Sequence, residues 1–594
     1  MSRWRTRASR AVLALLVAVV AAGCVSIPDS SSIQQGRPPG AQEFRPPLRN
    51  IPAGPLPNGS REAIVTGYLR AMLAYPPAPR VVREFMTSPA AVSWNPDAGV
   101  KVYENPSATD AGSSVLVKGD TSGTLDARGS WTSAGENNRA FQLSLKLSKQ
   151  HGQWRISNPP PGILIELSTF ENVYRPFSLY FFDRTRPAHV LVPDPVFLLN
   201  GDSTATLLVN DLLQGPTRDL SGGVSSAAPP ATQVDPSVSI TTSGTVQVPL
   251  TDHFLSLSSS DRQLFAVQLT WTLKQLAQYL PYDLSHIVIS VDGNPYNVPG
   301  IGSSIPIDSF QYYDPAGLAT NRSLFALSGG RLVTVTQSGP IAAPGPIGKV
   351  PFAARSAAVA PSPSGNLAAL VTAKGNEVYV GATELNQAPG VGLWLSHGSD
   401  FLRPSWDIHQ MLWVVDETSK GAVLHVVAAA TAKVVVAPGI SGKDVTAIAV
   451  SRDGVRLAAI VRDKGGSHLV ISTIRRDPEH PRDVSLGDAL TISNPDFPLA
   501  QLSGLAWTSP TSVVVLAQEE GGEERPYEIS IDGSTVNPSA GFIPIQPVSI
   551  AAAPNSDTRT VIGASDGRLY EGTPTGQWSR FGGSAKYQQP FYPG

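Results

Sequence analysis

The feature that most constrains the fold is an internal repeat in the second half of the chain. The segment Val359-Ala-Pro-Ser-Pro-Ser-Gly-Asn-Leu367-Ala-Ala-Leu370 is similar to Ala449-Val-Ser-Arg-Asp-Gly-Val-Arg-Leu457-Ala-Ala-Ile460. Leu367 and Leu457 lie 90 positions apart, and Leu412 falls midway between them. A period near 45 residues, in which a polar turn joins two apolar strands, is typical of β-propeller blades.

Weaker copies of the repeat extend it in both directions. They occur at Ser323–Leu327, Thr511–Leu516 and Thr558–Ile562. The chain also has 53 glycines and 53 prolines, which suits short strands joined by tight turns. We therefore predict an all-β propeller over residues 308–594, with about six blades and seven as the alternative.

The N-terminus has the pattern of a secretory signal. Arginines between Arg3 and Arg10 precede an apolar run, Ala11–Ala22, that is about twelve residues long and so too short to cross a bilayer core. Small residues, ending at Gly23, then precede Cys24, the only cysteine of the chain. We predict that residues 1–23 are a signal peptide, cut between Gly23 and Cys24.

This arrangement resembles a bacterial lipobox, with Ala21 where leucine is usual. The resemblance implies that Cys24 carries a diacylglycerol thioether and an acylated amino group, which would anchor the chain at the extracytoplasmic face of the cell membrane. The alternative is an ordinary signal peptide followed by a stray cysteine. Residues 24–59 are rich in proline and serine without apolar periodicity, and we predict a disordered tether there.

Two α+β domains are predicted between the tether and the propeller. In the first, residues 60–170, Ser60 can cap a helix that places Ile64, Leu69 and Met72 on one face. Alternating residues then continue from Val100 to Ile156. Helices followed by a curled antiparallel sheet suggest an NTF2-like fold.

The second predicted domain, residues 176–300, has the order strand, helix, strand, helix, strand. The predicted elements are Phe177–Phe182, Thr206–Leu213, Thr245–Leu250, Asp261–Leu280 and His286–Val291. Together with Val209–Thr217 (Val-Asn-Asp-Leu-Leu-Gln-Gly-Pro-Thr), Gln268–Leu273 and Val291–Gly293, this order resembles the GerMN domain.

No pattern of residues points to catalysis. Gly563–Gly567 fits the G-x-S-x-G expression of serine hydrolases, but no histidine follows position 480. Gly439–Lys443 and Gly345–Lys349 lack the spacing of a phosphate loop, and we interpret both as connections between strands. Asp453 and Asp566 are interpreted as turn formers.

No metal, cofactor or nucleic-acid site is predicted either. The nine histidines lack the close spacing of metal ligands, although convergence in a propeller channel stays open. The net charge is −2 and no basic block occurs, which argues against a nucleic-acid partner. We expect four tryptophans to pack internally, with sugar stacking as the alternative use: Trp271, Trp406, Trp413 and Trp507.

An acylated N-terminus, a tether, a small α+β domain, a GerMN-like unit and a propeller together resemble the LpqB family of actinobacterial lipoproteins. The resemblance implies an accessory protein that contacts the extracytoplasmic sensor region of the histidine kinase MtrB. Through that contact it would modulate phosphorylation of MtrA, and so cell-envelope homeostasis and division. The alternatives are a receptor for a cell-wall glycan or peptide fragment and, third, a propeller hydrolase or quinone-dependent dehydrogenase.

Overall fold

A computed structural model describes residues 51–594, which belong to one compact unit. The positions it leaves undescribed within that range are 136–138, 186–189, 230, 315, 317–321, 362–366, 386–389, 520, 540, 542, 544, 554–558 and 574–575. The predicted signal peptide, Gly23, Cys24 and the tether up to residue 50 lie outside the described residues. Residues 51–59 contain no helix or strand.

The N-terminal domain consists of short helices packed on one mixed sheet. Its helices are α1 (Arg61–Met72), α2 (Pro79–Glu84), α3 (Ser88–Ser93) and α4 (Leu167–Val173). Its strands are β1 (Val100–Asp110), β2 (Ser114–Leu125), β3 (Trp131–Ser133), β4 (Ala140–Gln150), β5 (Gln153–Ile156) and β6 (Ile163–Glu166). The sheet order is β5-β4-β2-β1-β6, with β3 beside β2, and only the β1–β6 pair among these strands is parallel.

The first helix begins and packs as its sequence predicts. The Ser60 side chain accepts a hydrogen bond from the backbone N–H of Ala63 at 3.1 Å, which satisfies one of the free donors of the first turn. Ile64, Leu69 and Met72 are buried in the core between helices and sheet. The order of helices and strands follows the prediction, and the NTF2-like assignment itself stays a prediction.

The second domain has two sheets with two helices. Its strands are β7 (Tyr174–Asp183), β8 (Leu191–Leu199), β9 (Val224–Ser225), β10 (Ser239–Ile240), β11 (Thr245–Leu250), β12 (His286–Val291), β13 (Asn294–Pro295) and β14 (Ile305–Pro306). Its helices are α5 (Thr204–Gln214) and α6 (Ser259–Lys274). One sheet has the order β8-β7-β9, and the other has β10-β11-β12-β13 with β14 beside β12.

Strand β8 was absent from the predicted order, and that part of the prediction is wrong. Pro193 and Pro195 lie within β8, and proline removes a hydrogen-bond donor from a sheet. The strand tolerates both because it is at the edge of its sheet. Proline argues against a central strand but not against an edge strand, so the prolines of β8 are compatible with its position.

Polar residues of helix α6 and of the turn after it bond to the part of β7 that the short strand β9 does not cover. Gln268 donates to the carbonyl of Tyr180 at 2.7 Å, and Gln275, just after the helix, donates to the carbonyl of Ser178 at 2.7 Å. Buried backbone groups need such partners, which explains why these two polar side chains lie inside the domain. The predicted helix extends to Leu280, but α6 ends at Lys274 and continues as a 3-10 turn over Gln275–Tyr279.

The described residues from Leu324 onward form six consecutive antiparallel sheets, here called sheets 1 to 6 in chain order. Sheet 1 contains β15 (Leu324–Ser328), β16 (Arg331–Thr336) and β17 (Gly339–Ala342). Sheet 2 contains β18 (Ala354–Val359), β19 (Leu367–Thr372), β20 (Val378–Ala382) and β21 (Gly392–Leu395). Sheet 3 contains β22 (Ser405–Trp406), β23 (Leu412–Thr418), β24 (Gly421–Ala428) and β25 (Thr431–Val435).

Sheets 4 to 6 continue the same plan. Sheet 4 contains β26 (Asp444–Val450), β27 (Arg456–Asp463), β28 (Gly466–Arg476), β29 (Val484–Leu486) and β30 (Leu490–Ile492). Sheet 5 contains β31 (Leu499–Ser509), β32 (Ser512–Glu519), β33 (Arg525–Ser530) and β34 (Val536–Pro538). Sheet 6 contains β35 (Pro547–Ala551), β36 (Val561–Ala564), β37 (Leu569–Gly572) and β38 (Trp578–Phe581). Strand β39 (Gln588–Phe591) returns to pair with β15 of sheet 1.

These sheets close into a ring. Neighbouring inner strands contact one another in the order β18, β22, β26, β31, β35, β39 and back to β18. In each of the six repeat copies, described residues form part of the strand next to the inner strand of the sheet. These strands are β15, β19, β23, β27, β32 and β36. The sequence period therefore marks one position of the blade, where apolar residues pack between adjacent sheets.

Candidate functional site

The repeated turn in sheet 4 is buried at an interface between domains. The Asp453 carboxylate accepts hydrogen bonds from the Ser451 hydroxyl and from the Val455 backbone N–H, the latter at 2.9 Å. This confirms the turn role predicted for Asp453. Burial raises the pKa of Asp453, and the guanidinium of Arg456 opposes that rise.

Arg456 joins this turn to the GerMN-like domain. Its guanidinium lies 3.5 Å from the Asp453 carboxylate and donates to the carbonyl of Pro193 in β8 at 2.6 Å. The side chains of Arg456 and Asp453 are 5% and 0% exposed. Val455, between them, packs into the hydrophobic core of the GerMN-like domain. The turn therefore serves both the blade and the contact between domains.

The corresponding turn of sheet 3 makes a second buried ion pair. Asp407 accepts hydrogen bonds from the backbone N–H groups of His409 and Met411, each at 2.9 Å, and from the indole of Trp413 at 2.9 Å. Arg476 of sheet 4 donates to the same carboxylate. The imidazole of His409 lies 3.9 Å from the carboxylate of Asp183 in β7.

The N-terminal domain contacts the GerMN-like domain at the segment that carries the GerMN resemblance. The Arg128 guanidinium donates to the carbonyls of Asp211 at 3.0 Å, Pro216 at 2.7 Å and Gly215. A cation at the C-terminus of α5 is favoured by free carbonyls and by the helix dipole. Burial raises the pKa of the Asp211 side chain to about 7, with Arg128 opposing the rise.

The N-terminal domain also contacts the propeller. Arg139 donates to the carbonyl of Pro495 at 3.1 Å and to the carboxylate of Asp496 at 3.0 Å. The N-terminal domain has an aromatic contact with the GerMN-like domain as well: Trp131 packs against Phe197 of β8, with ring centroids 5.8 Å apart. Each domain therefore contacts both of the others through specific polar and aromatic groups.

The four tryptophans weighed as a sugar platform are buried. Their exposure is at most 5%, and each indole N–H donates to an internal acceptor: Phe310, Ala358, Asp407 and Ala449. Stacking on a sugar needs an exposed ring face, so the platform built on Trp271, Trp406, Trp413 and Trp507 is ruled out. The internal packing that we expected for these residues is confirmed.

A small cavity lies in the inner ring of the propeller, among the described residues. Tyr592, Pro593 and Gly594 line it, and the Gly594 N–H donates to the carbonyl of Val359 at 3.0 Å. About 50 Å³ remains, lined by Arg403 and Arg452, and burial lowers the pKa of each guanidinium to about 10. No histidine is among the described residues that line this cavity.

The remaining motifs are structural turns. Gly563–Gly567 joins β36 to β37, and Asp566 accepts a hydrogen bond from the Arg568 N–H at 2.9 Å, which confirms the turn role predicted for that aspartate. Pro346–Lys349 forms a 3-10 turn between β17 and β18. Gly439–Lys443 joins β25 to β26, as predicted. In the described part of the chain, no three His, Cys, Asp or Glu side chains are grouped to hold a metal ion, and no helix could span a membrane.

An open groove lies between sheets 4, 5 and 6 and is called the groove from here on. Its volume is about 1310 Å³. It is bordered by the β27–β28 and β32–β33 connections. The turn at Asp453 joins β26 to β27, at the opposite end of β27. The groove therefore opens at the end of the sheets that faces away from the contact with the GerMN-like domain.

Charged side chains line the groove. They are Arg462, Asp463, Glu519, Glu523, Glu524 and Arg525. The Glu519 carboxylate accepts hydrogen bonds from Tyr527 at 2.6 Å and Arg525 at 3.0 Å, and these bonds lower the pKa of Glu519. The hydroxyl of Ser503 donates to Glu524. The arrangement can bind a charged ligand by ion pairs and hydrogen bonds.

Comparison with known proteins accounts for nearly the whole chain. The family model described as the lipoprotein LpqB β-propeller domain matches residues 330–593, and the model described as the lipoprotein LpqB N-terminal domain matches residues 54–171. The Germane model, described as sporulation and spore germination, matches residues 178–297 between them. The chain belongs to the LpqB family.

Proteins of the LpqB family are similar to nearly the whole chain. Lipoprotein LpqB of Thermobifida fusca is 28% identical over 96% of this chain and 95% of its own length. Lipoprotein LpqB of Mycobacterium bovis is 27% identical over 95% of each chain. Among solved structures, the first GerMN domain of the sporulation protein GerM from Bacillus subtilis is 24% identical over 23% of this chain and 96% of that domain, with a TM-score of 0.19.

Family membership confirms the predicted fold class. An LpqB N-terminal domain, a GerMN-like domain and an all-β propeller follow one another as the sequence indicates. Sequence reasoning missed Arg128, Arg139 and Arg456 as contacts between domains. The only signal for Arg456 was its place in the stronger repeat, and nothing in the sequence pairs Arg128 with α5.

Proposed function

We propose that this protein is a lipid-anchored, extracytoplasmic accessory protein that contacts the sensor region of the histidine kinase MtrB. By that contact it modulates phosphorylation of MtrA and so affects cell-envelope homeostasis and division. The partner follows from the LpqB resemblance. The observation that favours a binding protein is the groove: a large, charged and open surface on a body whose three domains are joined by specific contacts.

A non-enzymatic role is part of this proposal. The residues that the sequence offered for chemistry serve as turns, as in Asp453 and Asp566, or as contacts between domains. The cavity that the described residues form in the inner ring has a volume of about 50 Å³, below the roughly 300–1,000 Å³ that is common for small-molecule pockets. A cell-wall receptor would have to use a surface other than the four buried tryptophans.

The test is co-isolation from living cells. Photo-crosslinking of the full-length protein should capture MtrB, and loss of the protein should change the level of phosphorylated MtrA. If no crosslink forms and MtrA phosphorylation is the same with and without the protein, the proposed partner is wrong.

The anchor has its own test. Cys24→Ser should move the protein from the membrane to the soluble extracytoplasmic fraction, because a serine hydroxyl cannot form the thioether. Ser26→Ala, two residues away, is the matched control and should leave the protein at the membrane. Unchanged fractionation of Cys24→Ser would contradict lipidation at this residue.

A further inference from the structure

We propose that the groove binds a basic, extended peptide segment of a protein partner. The inference deepens the proposed function and rests on it in one respect, namely that the ligand belongs to a protein. Its chemistry is argued from the groove alone.

The first argument is space. Pockets for small molecules commonly have volumes of roughly 300–1,000 Å³. The groove has about 1310 Å³, whereas the adjacent cleft lined by Thr491 and Phe497 has about 190 Å³. The groove is also open along the ends of three sheets. A chain segment matches this shape better than a compact ligand does.

The second argument is charge. The lining contains four carboxylates and two guanidiniums. Each guanidinium already has a carboxylate partner: Arg462 lies 3.1 Å from Asp444, and Arg525 lies 3.0 Å from Glu519. Asp463 also has a partner, because its carboxylate lies 3.1 Å from the imidazole of His468. The negative charge that is left for a ligand is therefore that of Glu523 and Glu524. A cationic ligand is complementary to this wall.

The third argument is the apolar part of the lining. Leu502 is buried, and Ile543 and Ile545 are partly buried. Lysine and arginine side chains pack their aliphatic stems on such surfaces while the charged end reaches a carboxylate. A segment with alternating basic and aliphatic residues would use both kinds of contact.

The fourth argument is preorganisation. Tyr527 is fully buried and its hydroxyl holds the Glu519 carboxylate, while Arg525 donates to both groups. The same hydrogen bonds favour the ionised form of Glu519, since they lower its pKa. Binding therefore does not require this side of the groove to be reordered first.

The experiment is a calorimetric titration of the purified full-length protein in detergent. The probe is acetyl-Lys-Ile-Lys-Ile-Lys-amide, and acetyl-Glu-Ile-Glu-Ile-Glu-amide is the peptide of opposite charge. We expect the basic peptide to bind with a Kd below about 1 mM and the acidic one at least about 10-fold more weakly. Raising the salt from about 50 to about 500 mM should weaken binding of the basic peptide, because exposed charges are screened.

Matched variants locate the site. The double variant Glu523→Gln/Glu524→Gln should weaken the basic peptide about 5- to 10-fold. The control Glu171→Gln/Glu384→Gln makes the same change in net charge at exposed residues outside the groove lining, and it should bind as wild type does. Thermal melting of both variants should match wild type, which shows that the fold is kept.

Several results would overturn the inference. No binding of the basic peptide at 1 mM, or equal binding by the two double variants, would do so. Co-isolation of MtrB that survives Glu523→Gln/Glu524→Gln unchanged would leave the proposed function standing and reject the groove as its contact. Peptide binding at the groove without any crosslink to MtrB would instead reject the proposed partner alone.

Discussion

The two ends of the propeller sheets use similar ion pairs in opposite surroundings. At the end that contacts the GerMN-like domain, Arg456 and Asp453 are 3.5 Å apart, and their side chains are 5% and 0% exposed. In the groove, Arg525 and Glu519 are 3.0 Å apart, and their side chains are 44% and 38% exposed. Residue type and separation are alike, but access to water is not.

The difference indicates what each pair does. Removing one member of a buried pair leaves an uncompensated charge in a medium of low polarity, which is strongly unfavourable. An exposed pair contributes little to stability, because water and salt screen it. The buried pair therefore specifies how two domains pack, whereas the exposed pair adds little to stability and stays in contact with water.

Breaking the buried pair should have the largest effect. Arg456→Met keeps most of the side-chain volume but leaves the Asp453 carboxylate without its cation. We expect the free energy of unfolding to fall by about 3–5 kcal/mol. Chemical denaturation measures this fall from the midpoint and the slope of the transition. The matched control is Arg462→Met, which removes an exposed pair with Asp444 and should cost less than about 1 kcal/mol. Equal losses for the two variants would erase the proposed distinction between the two ends.

The contact of the N-terminal domain should be next in size. Arg128→Met removes the donor to three carbonyls at the C-terminus of α5. Partly buried carbonyls left without a donor should lower the free energy of unfolding by about 1–3 kcal/mol. Limited proteolysis should then cut near residues 215–223 faster than in wild type. Arg80→Met, at an exposed position, is the control, and an Arg128→Met protein as resistant as this control would contradict the assignment.

Asp211 should give a pH-dependent effect of similar or smaller size. Its pKa is about 7 in the folded protein against an ordinary value of 3.8, so the folded state binds more protons between these values. Stability attributable to Asp211 should therefore fall as the pH rises from 4 to 7 and level off above 7.

Asp211→Asn removes this dependence. We expect the variant to exceed wild type in stability by on the order of 1–2 kcal/mol at pH 8 and by little at pH 4, as measured by denaturation at both values. An identical difference at the two pH values would show that Asp211 does not titrate in this range.

The smallest effect is expected in the groove. Arg525→Met should change the free energy of unfolding by about 0–1 kcal/mol, because its ion pair with Glu519 is exposed. Thermal melting within about 2 °C of wild type would agree with this. A loss as large as that of Arg456→Met would mean that the groove pair is structural, and the comparison of the two ends would fail.

Much of the fold could be predicted because it depends on local patterns. Ser60 caps α1, and the copies near Leu367, Leu412 and Leu457 all lie on equivalent strands. Strand β8 was missed, since its prolines are acceptable only at a sheet edge, and edge position is not a local property. The groove could not be predicted either, since its walls come from connections far apart in the chain.

The sequence by itself determined the three-domain order, the blade period and the candidate anchor at Cys24, because these follow from periodicity and from short motifs. The tertiary structure alone decided which charges lose water: Asp453 and Arg456 become part of an interface, while Glu523 stays exposed in the groove. The physical reason is that the energy of a charge depends on its solvation, and packing between distant segments sets that solvation.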